Sequence, residues 1–421
     1  MQAIALTEIG HRLDARRWWP AMLVWAVLAL LPFARLSALP MAAMAMIGLF
    51  YLATRWRSLL GETSVRLFLL FFGCYWIPAT LSAVDAVEPA RSWQSVAAYL
   101  RFLPVGVFCL VHLRDPGQRQ WLWSASALLV ALWCGDALVQ AAFGVNLLGM
   151  PHSADRLNGI FGADNIKLGH VIAVLSPLVL EYVRRRWGLP VFGAAYGLML
   201  AVIVLVGTRS GWLMYGLITL GYIYLYARGR PRRWLQAGVL VAIAASAIAL
   251  AGYQFSPTLA GRIDRSLLVF QGDSESVDQA LGMRLPIWQA AARMIQEHPV
   301  NGVGVRGFRY AYPGFAGSED PWMRNQAETG AAHAHQLVLE LLTETGIIGL
   351  LGFALAVWLA ISHWRSLSPN AKSAAVPFAL ALGVMVFPVN THLAFYSTFW
   401  SLLCWWLVML YCASAGDQRE R

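Results

Sequence analysis

Residues 189–227 read LPVFGAAYGLMLAVIVLVGTRSGWLMYGLITLGYIYLYA, with Arg209 as their only charged residue. A helix crosses a bilayer with about 20 mostly apolar residues. Each side of the Gly207-Thr208-Arg209-Ser210-Gly211 break is close to that length. The stretch therefore reads as two membrane helices joined by a turn. Similar runs lie near 19–36, 38–54, 65–84, 94–113, 121–143, 166–183, 234–255, 338–362, 374–391 and 394–412. With the opening pair they make twelve candidate spans. The predicted fold class is an all-α polytopic membrane protein.

Composition agrees with that class. Of the 421 residues, 58% are hydrophobic and 13% are charged, whereas soluble domains carry about 25% charged residues. Such a chain lacks the polar surface to cover a water-soluble body. Its net charge of +10 does not call for nucleic acid, because the basic residues collect in alternate connections. These are Arg12/Arg16/Arg17, Arg55/Arg57/Arg66, Arg114/Arg119, Arg184/Arg185/Arg186, Arg228/Arg230/Arg232/Arg233, Arg365/Lys372 and Arg419/Arg421. The intervening short connections hold only Arg35, Arg91, Arg156 with Lys167, and Arg209. Positive residues stay on the cytoplasmic side, so both termini are expected inside. The 144–165 loop, the Arg209 turn and the long 255–335 segment are expected outside. The arginines ahead of the first run resemble a signal peptide. That run has no small-residue cleavage site and a second span follows at once, so it reads as a retained helix.

Three parts follow: nine helices over 1–254, a large outer loop over 255–335, and three helices over 336–421. Within the loop, 284–297 has apolar residues at helical spacing. It is an amphipathic helix that lies on the membrane surface or packs inside a small core of the loop itself. The five cysteines, Cys74, Cys109, Cys134, Cys404 and Cys412, all fall inside apolar runs without a CxxC pair. They suggest neither a disulfide framework nor a zinc site.

The outer side is rich in arginine. Arg209 joins Arg262, Arg265, Arg284, Arg293, Arg306, Arg309 and Arg324. For a single loop arginine, solvation or pairing with Asp264, Asp273, Glu275, Asp278, Glu297, Glu319, Asp320 or Glu328 is the plain reading. Together they make an anion site, since guanidinium forks match phosphate oxygens at any working pH. His333 and His335 stand two apart before the tenth span. They could share a metal only in an extended segment, and no third ligand is evident, so no metal or cofactor is expected. A histidine there suits general-base work, as well as a merely structural role. Gly302-Val303-Gly304-Val305-Arg306-Gly307 fits GxGxxG but lacks the strand-to-helix context of a dinucleotide site, and no GxxxxGK[ST] loop is present. Arg101, Asp136, Glu181, Glu340, Glu344, Asn390 and His392 are polar groups within or beside spans. A transporter would use such groups along a path, and that is the rival class.

Three outer segments resemble the O-antigen ligase and polymerase superfamily of bacterial envelope enzymes. Gly207-Thr208-Arg209-Ser210-Gly211-Trp212 is similar to its Thr/Ser-Arg-Gly hairpin, with Ser210 between the Arg and the Gly. Arg284 through Trp288 to His298-Pro299-Val300-Asn301-Gly302-Val303-Gly304 resembles its Arg, Trp, His-Pro-x-x-Gly-x-Gly block. His335 through Glu344-Thr345-Gly346 to Gly349 resembles its His-Asn and Glu-Thr-Gly-x-x-Gly block, with Gln336 in place of Asn. Phe161-Gly162-Ala163-Asp164-Asn165 is a weaker match. The resemblance implies a glycosyltransferase C-like fold of the bacterial inner membrane. It also implies an undecaprenyl-diphosphate-linked O-antigen donor and, for a ligase, a lipid A–core acceptor. One dominant late loop looks most like a ligase, with a polymerase as the alternative. Carried over residue by residue, Arg209 and Arg284 contact the diphosphate and His335 is the base. Arg265, Arg306, His333 and Asn165 are further candidates for substrate contact.

Overall fold

The computed structural model describes residues 15–33, 35–152, 156–162, 165, 167–227, 230–255, 257–325, 330–390 and 394–416. Arg12, Ala163, Asp164, Arg228, Glu328, His392, Arg419 and Arg421, which the sequence reading used, lie outside them. The described residues form helices and no strand. The first part holds α1 (Ala15–Ala29), α2 (Ala38–Leu60), α3 (Thr63–Ser82), α4 (Pro89–Tyr99), α5 (Phe102–His112) and α6 (Pro116–Phe143). It continues with α7 (Leu168–Val206), α8 (Arg209–Ala227) and α9 (Pro231–Phe255). Five short helices follow: α10 (Pro257–Leu267), α11 (Ser274–Leu281), α12 (Leu285–Glu297), α13 (Phe308–Phe315) and α14 (Pro321–Asn325). The chain closes with α15 (Leu337–Ser366), α16 (Pro369–Met385) and α17 (Thr398–Ala415).

Seven helical stretches among the described residues are long and apolar enough to cross a membrane. All twelve apolar runs of the sequence fall on helices. The mismatch in number arises because α1 and α16 hold only 15 and 17 residues, α7 merges two of the runs, and α8 and α9 are not among the seven. α7 breaks at Gly188 (φ 79°, ψ −168°), a backbone region that glycine alone enters readily. A Cβ at Gly169 would approach Val206 to 2.9 Å, so the ends of α7 are neighbours. The 39 residues therefore run up and back as a hairpin. Leu39, Met46 and Phe50 on α2, Leu189 on α7, and Leu351 and Trp358 on α15 are exposed. Surface of that kind in water would be an aggregation liability; in a bilayer it faces lipid.

The interior has two cores. The larger joins α1 to α8 with α15 to α17. There α15 packs on α3, and α16 packs on α17 and α7. The smaller core lies within the 255–335 segment and contains Ile287, Ala290, Ala291 and Met294 of α12, with Val303, Phe308, Tyr312 and Ala334. Of the two readings open for the amphipathic helix, this is the second: its apolar face packs inside the loop's own core.

Two of the polar groups of the spans, Glu181 and Asp136, are engaged structurally. The buried Glu181 accepts from Arg184 Nε at 2.9 Å, Arg185 Nε at 2.8 Å and Tyr226 Oη at 3.0 Å. Asp136 accepts the Leu147 N–H at 2.9 Å. Pairing of this sort is what a buried charge requires, and it leaves these two acids as structural ties.

Candidate functional site

The site is assembled where two sequence blocks interlock. Gly346 breaks α15 (φ 61°, ψ −160°), and the 298–307 segment docks into the break. Ile347 N–H donates to the Pro299 carbonyl at 2.9 Å, and Val303 N–H donates to the Thr343 carbonyl at 2.7 Å. A Cβ at Gly346 would overlap the Val300 carbonyl, and one at Gly302 would stand 2.5 Å from the Thr343 carbonyl. On its other side the segment meets the α3–α4 connection: Val87 N–H donates to the Val303 carbonyl at 3.0 Å. Ser82 Oγ accepts the Val305 N–H at 3.1 Å. The glycines of the GxGxxG string thus serve close approach of backbones.

The interlock carries Arg306 on a left-handed backbone (φ 63°), with its N–H held by Glu344 Oε2 at 2.8 Å. Left-handed backbone recurs at Met283 (φ 58°) and His335 (φ 51°). Among the described residues these three are the non-glycine residues with positive φ. Each is a site residue or adjoins one, as strained positions at functional sites often do.

Arg284 follows Met283 and caps α12. Trp288, one turn on, donates from Nε1 to the Ala334 carbonyl at 3.1 Å. Trp322 donates from Nε1 to the Met283 carbonyl at 2.6 Å, and its ring lies 6.2 Å from that of His335. Two tryptophans therefore tie the Arg284 turn to the histidine segment. The rings of His333 and His335 stand 3.8 Å apart, and the His335 N–H donates to His333 Nδ1 at 3.3 Å. That bond requires a lone pair on Nδ1, which puts the proton of the neutral His333 ring on Nε2. Burial first, then His335, Arg306, Arg309 and Arg284, push the His333 pKa well below its ordinary 6.5. His333 is held neutral.

Arg209 opens α8 directly after the left-handed Gly207 and Thr208. Its guanidinium bonds the Ala280 carbonyl at the end of α11, which brings it beside Gly282 and the Arg284 turn. Arg265 and Arg156 lie within electrostatic range of it. Burial, then Arg209 and Arg156, lower the Arg284 pKa to about 10. Guanidinium groups that depress one another in this way form a ready anion site.

The sequence candidates thus divide. Arg209, Arg284 and Arg265 form one cationic group, and Arg306, His333 and His335 another, with Arg284 within range of both Arg209 and His333. Asn165 stands apart: its N–H bonds the Gly162 carbonyl at 3.1 Å, and no contact joins it to the arginines among the described residues. Arg262, counted with the loop cations, has another task. It is buried and donates from Nη1 to the Gly207 carbonyl at 2.5 Å, capping the second half of α7.

Residues 194–354 match the family model of O-antigen ligases. This stretch of the chain carries an O-antigen ligase family domain. A search of curated proteins found no match. The O-antigen ligase match spans Arg209, Arg265, Arg284, Arg306, both histidines and Glu344. The family implies membrane glycosyl transfer, with lipid-linked glycan and lipid acceptor as general substrates. Sequence reasoning gave no site role to Arg156, Trp322 or Glu344. Arg156, the one arginine of the 144–165 loop, was the one that charge placement could have singled out.

Proposed function

We propose that this O-antigen ligase family protein transfers an O-antigen glycan from undecaprenyl diphosphate to lipid A–core, on the periplasmic face of the bacterial inner membrane. In this reading twelve helices span the membrane, both termini are cytoplasmic, and the 255–335 segment roofs the site. The convergence of Arg209, Arg284, Arg265 and Arg156 beside a histidine pair carries the proposal.

The acceptor hydroxyl oxygen attacks the anomeric carbon on the face opposite the diphosphate. The new carbon–oxygen bond forms as the bond to the diphosphate oxygen breaks, and configuration inverts. The electron pair stays on the departing diphosphate. Arg209 and Arg284, with Arg265 in the same group and Arg306 on the histidine side, stabilise that growing charge without needing a metal. His335 removes the proton of the acceptor hydroxyl. The neutral His333 holds the His335 backbone and adds no competing positive charge.

A lipid carrier also needs an apolar bed. A cavity of about 1530 Å³ runs along α15, past Gly349, Phe353, Val357 and Ile361. Tyr396 lies at one end, and Arg365 and Lys372 at the other. From Gly349 to Arg365 the helix rises about 24 Å at 1.5 Å per residue, most of a ~30 Å hydrocarbon core. A polyprenyl chain suits such a length.

The test uses purified protein with lipid-linked O-antigen and lipid A–core, in the presence of a metal chelator. A joined product supports ligation. Longer glycan on the carrier lipid, with no joined product, would assign a polymerase instead. Substrate movement across vesicles without any product would assign a transporter.

A further inference from the structure

The three non-glycine residues with left-handed backbone each have the N–H held by an acceptor: Met283 by the Asp278 carbonyl at 2.8 Å, His335 by His333 Nδ1 at 3.3 Å, and Arg306 by Glu344 Oε2 at 2.8 Å. Glu344 differs from the other two. It is 1% exposed, and its second oxygen, Oε1, has no hydrogen-bond partner among the described residues. A buried carboxylate is costly, and a well-packed apolar residue in its place would be the cheaper core. The charges acting on it are those of Arg306 and Arg309, the arginines that also act on His333, and that of the buried Glu340 one turn away on α15. Arg306 therefore acts on both the buried acid and His333. The rest of its segment is fixed from both sides, through Thr343 and Val87 at Val303 and through Ser82 and Ser92 at Val305. The one step from that frame to the Arg306 side chain is a left-handed turn whose N–H ends on Glu344.

We propose that Glu344 is a positioning residue for glycosyl transfer: its buried carboxylate fixes the strained backbone of Arg306 and so sets where that guanidinium meets the diphosphate of the donor. The proposal rests on the transferase reading given above.

The experiment compares Glu344→Ala, Glu344→Gln, Arg306→Ala and the double variant Glu344→Ala/Arg306→Ala in steady-state transfer, with the donor concentration varied. A hydrogen bond to a charged group accounts for about ten- to a hundred-fold in binding, so Glu344→Ala should raise the donor KM by that order. Glu344→Gln keeps an oxygen for the Arg306 N–H and should stay within a few-fold of wild type. The double variant should be no worse than Arg306→Ala, because Glu344 acts through Arg306. Losses that multiply in the double variant, or a normal donor KM in Glu344→Ala, overturn the proposal. Protection of the purified protein against thermal unfolding by inorganic pyrophosphate is measured in parallel. It reads the Arg306 position without any product being formed. Pyrophosphate protection weakened about tenfold in Glu344→Ala supports the proposal even if wild type makes no joined product, in which case only the ligase reading fails. Equal protection in wild type and Glu344→Ala overturns it.

Discussion

Gly346→Ala is a direct test of the interlock that holds the site. At φ 61° and ψ −160° the backbone is in a region that is essentially glycine-only, and a side chain there costs about 1–3 kcal/mol. The new Cβ would also overlap the Val300 carbonyl, so the 298–304 segment must back away. That puts two bonds at risk, Ile347 N–H to Pro299 O and Val303 N–H to Thr343 O, each about 0.5–1.5 kcal/mol net. The combined loss is roughly 2–6 kcal/mol, a large share of the about 5–15 kcal/mol that holds a domain folded. The assay is thermal unfolding in detergent, followed by tryptophan fluorescence, beside transfer activity. A fall in Tm on the order of 5 °C or more is expected, with transfer lost even below the melting range because Arg306 moves. Gly135→Ala is the control, since its Cβ would meet nothing within 4 Å in the middle of α6 and should be neutral or slightly stabilising. A Gly346→Ala protein that melts and transfers like wild type would refute the interlock as the frame of the site.

His335→Ala should insert and melt close to wild type while transfer falls about 10²- to 10⁴-fold, the usual contribution of a general base. In cells the glycan should stay on its carrier lipid, and full ligation there would remove His335 from the reaction. Arg209→Lys keeps the charge and loses the two-pronged donor. Initial rates at least about tenfold below wild type are expected, and undiminished rates would show that the fork is not used. Arg284, with its pKa lowered to about 10, is charged throughout neutral pH and loses its proton as pH rises through that value. Pyrophosphate protection of the purified protein should be level across neutral pH and decline near pH 10. Protection that persists unchanged to about pH 11, well past the lowered value but short of the ordinary arginine range, would mean that Arg284 does not bind the anion.

The helices were legible because lipid imposes a length that soluble packing does not. The Gly188 turn inside α7 was visible as the gap between two apolar runs, even though the helix continues in name through it. The loop helix at 285–297 was legible as well, but periodicity shows that a face is buried and not what covers it. Its cover is Val303, Phe308, Tyr312 and Ala334, which come from later in the chain. Context could exclude a nucleotide at Gly302–Gly307. The purpose of those glycines could not be read, because the backbones they admit belong to residues 86–87 and 343–345. Glu344 was seen as a polar group within or beside a span and as part of the Glu-Thr-Gly block, without a role of its own. Its acceptor role depends on the conformation of Arg306, which no local pattern encodes.

The cationic group also bears on why a ligand belongs there. The loop has enough carboxylates to neutralise its arginines, yet five of them are engaged elsewhere. Asp273 caps α11 through the Ser276 N–H at 2.8 Å, and Asp278 accepts the Leu285 N–H at 2.8 Å. Asp320 accepts the Tyr312 hydroxyl at 2.7 Å, Asp264 accepts that of Tyr253 at 3.2 Å, and Glu319 pairs with the exposed Arg324. Arg209 and Arg284 meanwhile lie near other arginines. Gathering like charges in a half-buried place raises the energy of the empty protein, and a fold selected for stability alone would place an acid among them. In the proposed transfer a diphosphate arriving there would meet charge already desolvated and already oriented, so little reorganisation would remain as negative charge grows on the leaving group. The strain at Met283, Arg306 and His335 has the same logic. Backbone energy is spent in the resting protein at or beside Arg284, Arg306 and His335, the side chains that the proposed transfer uses.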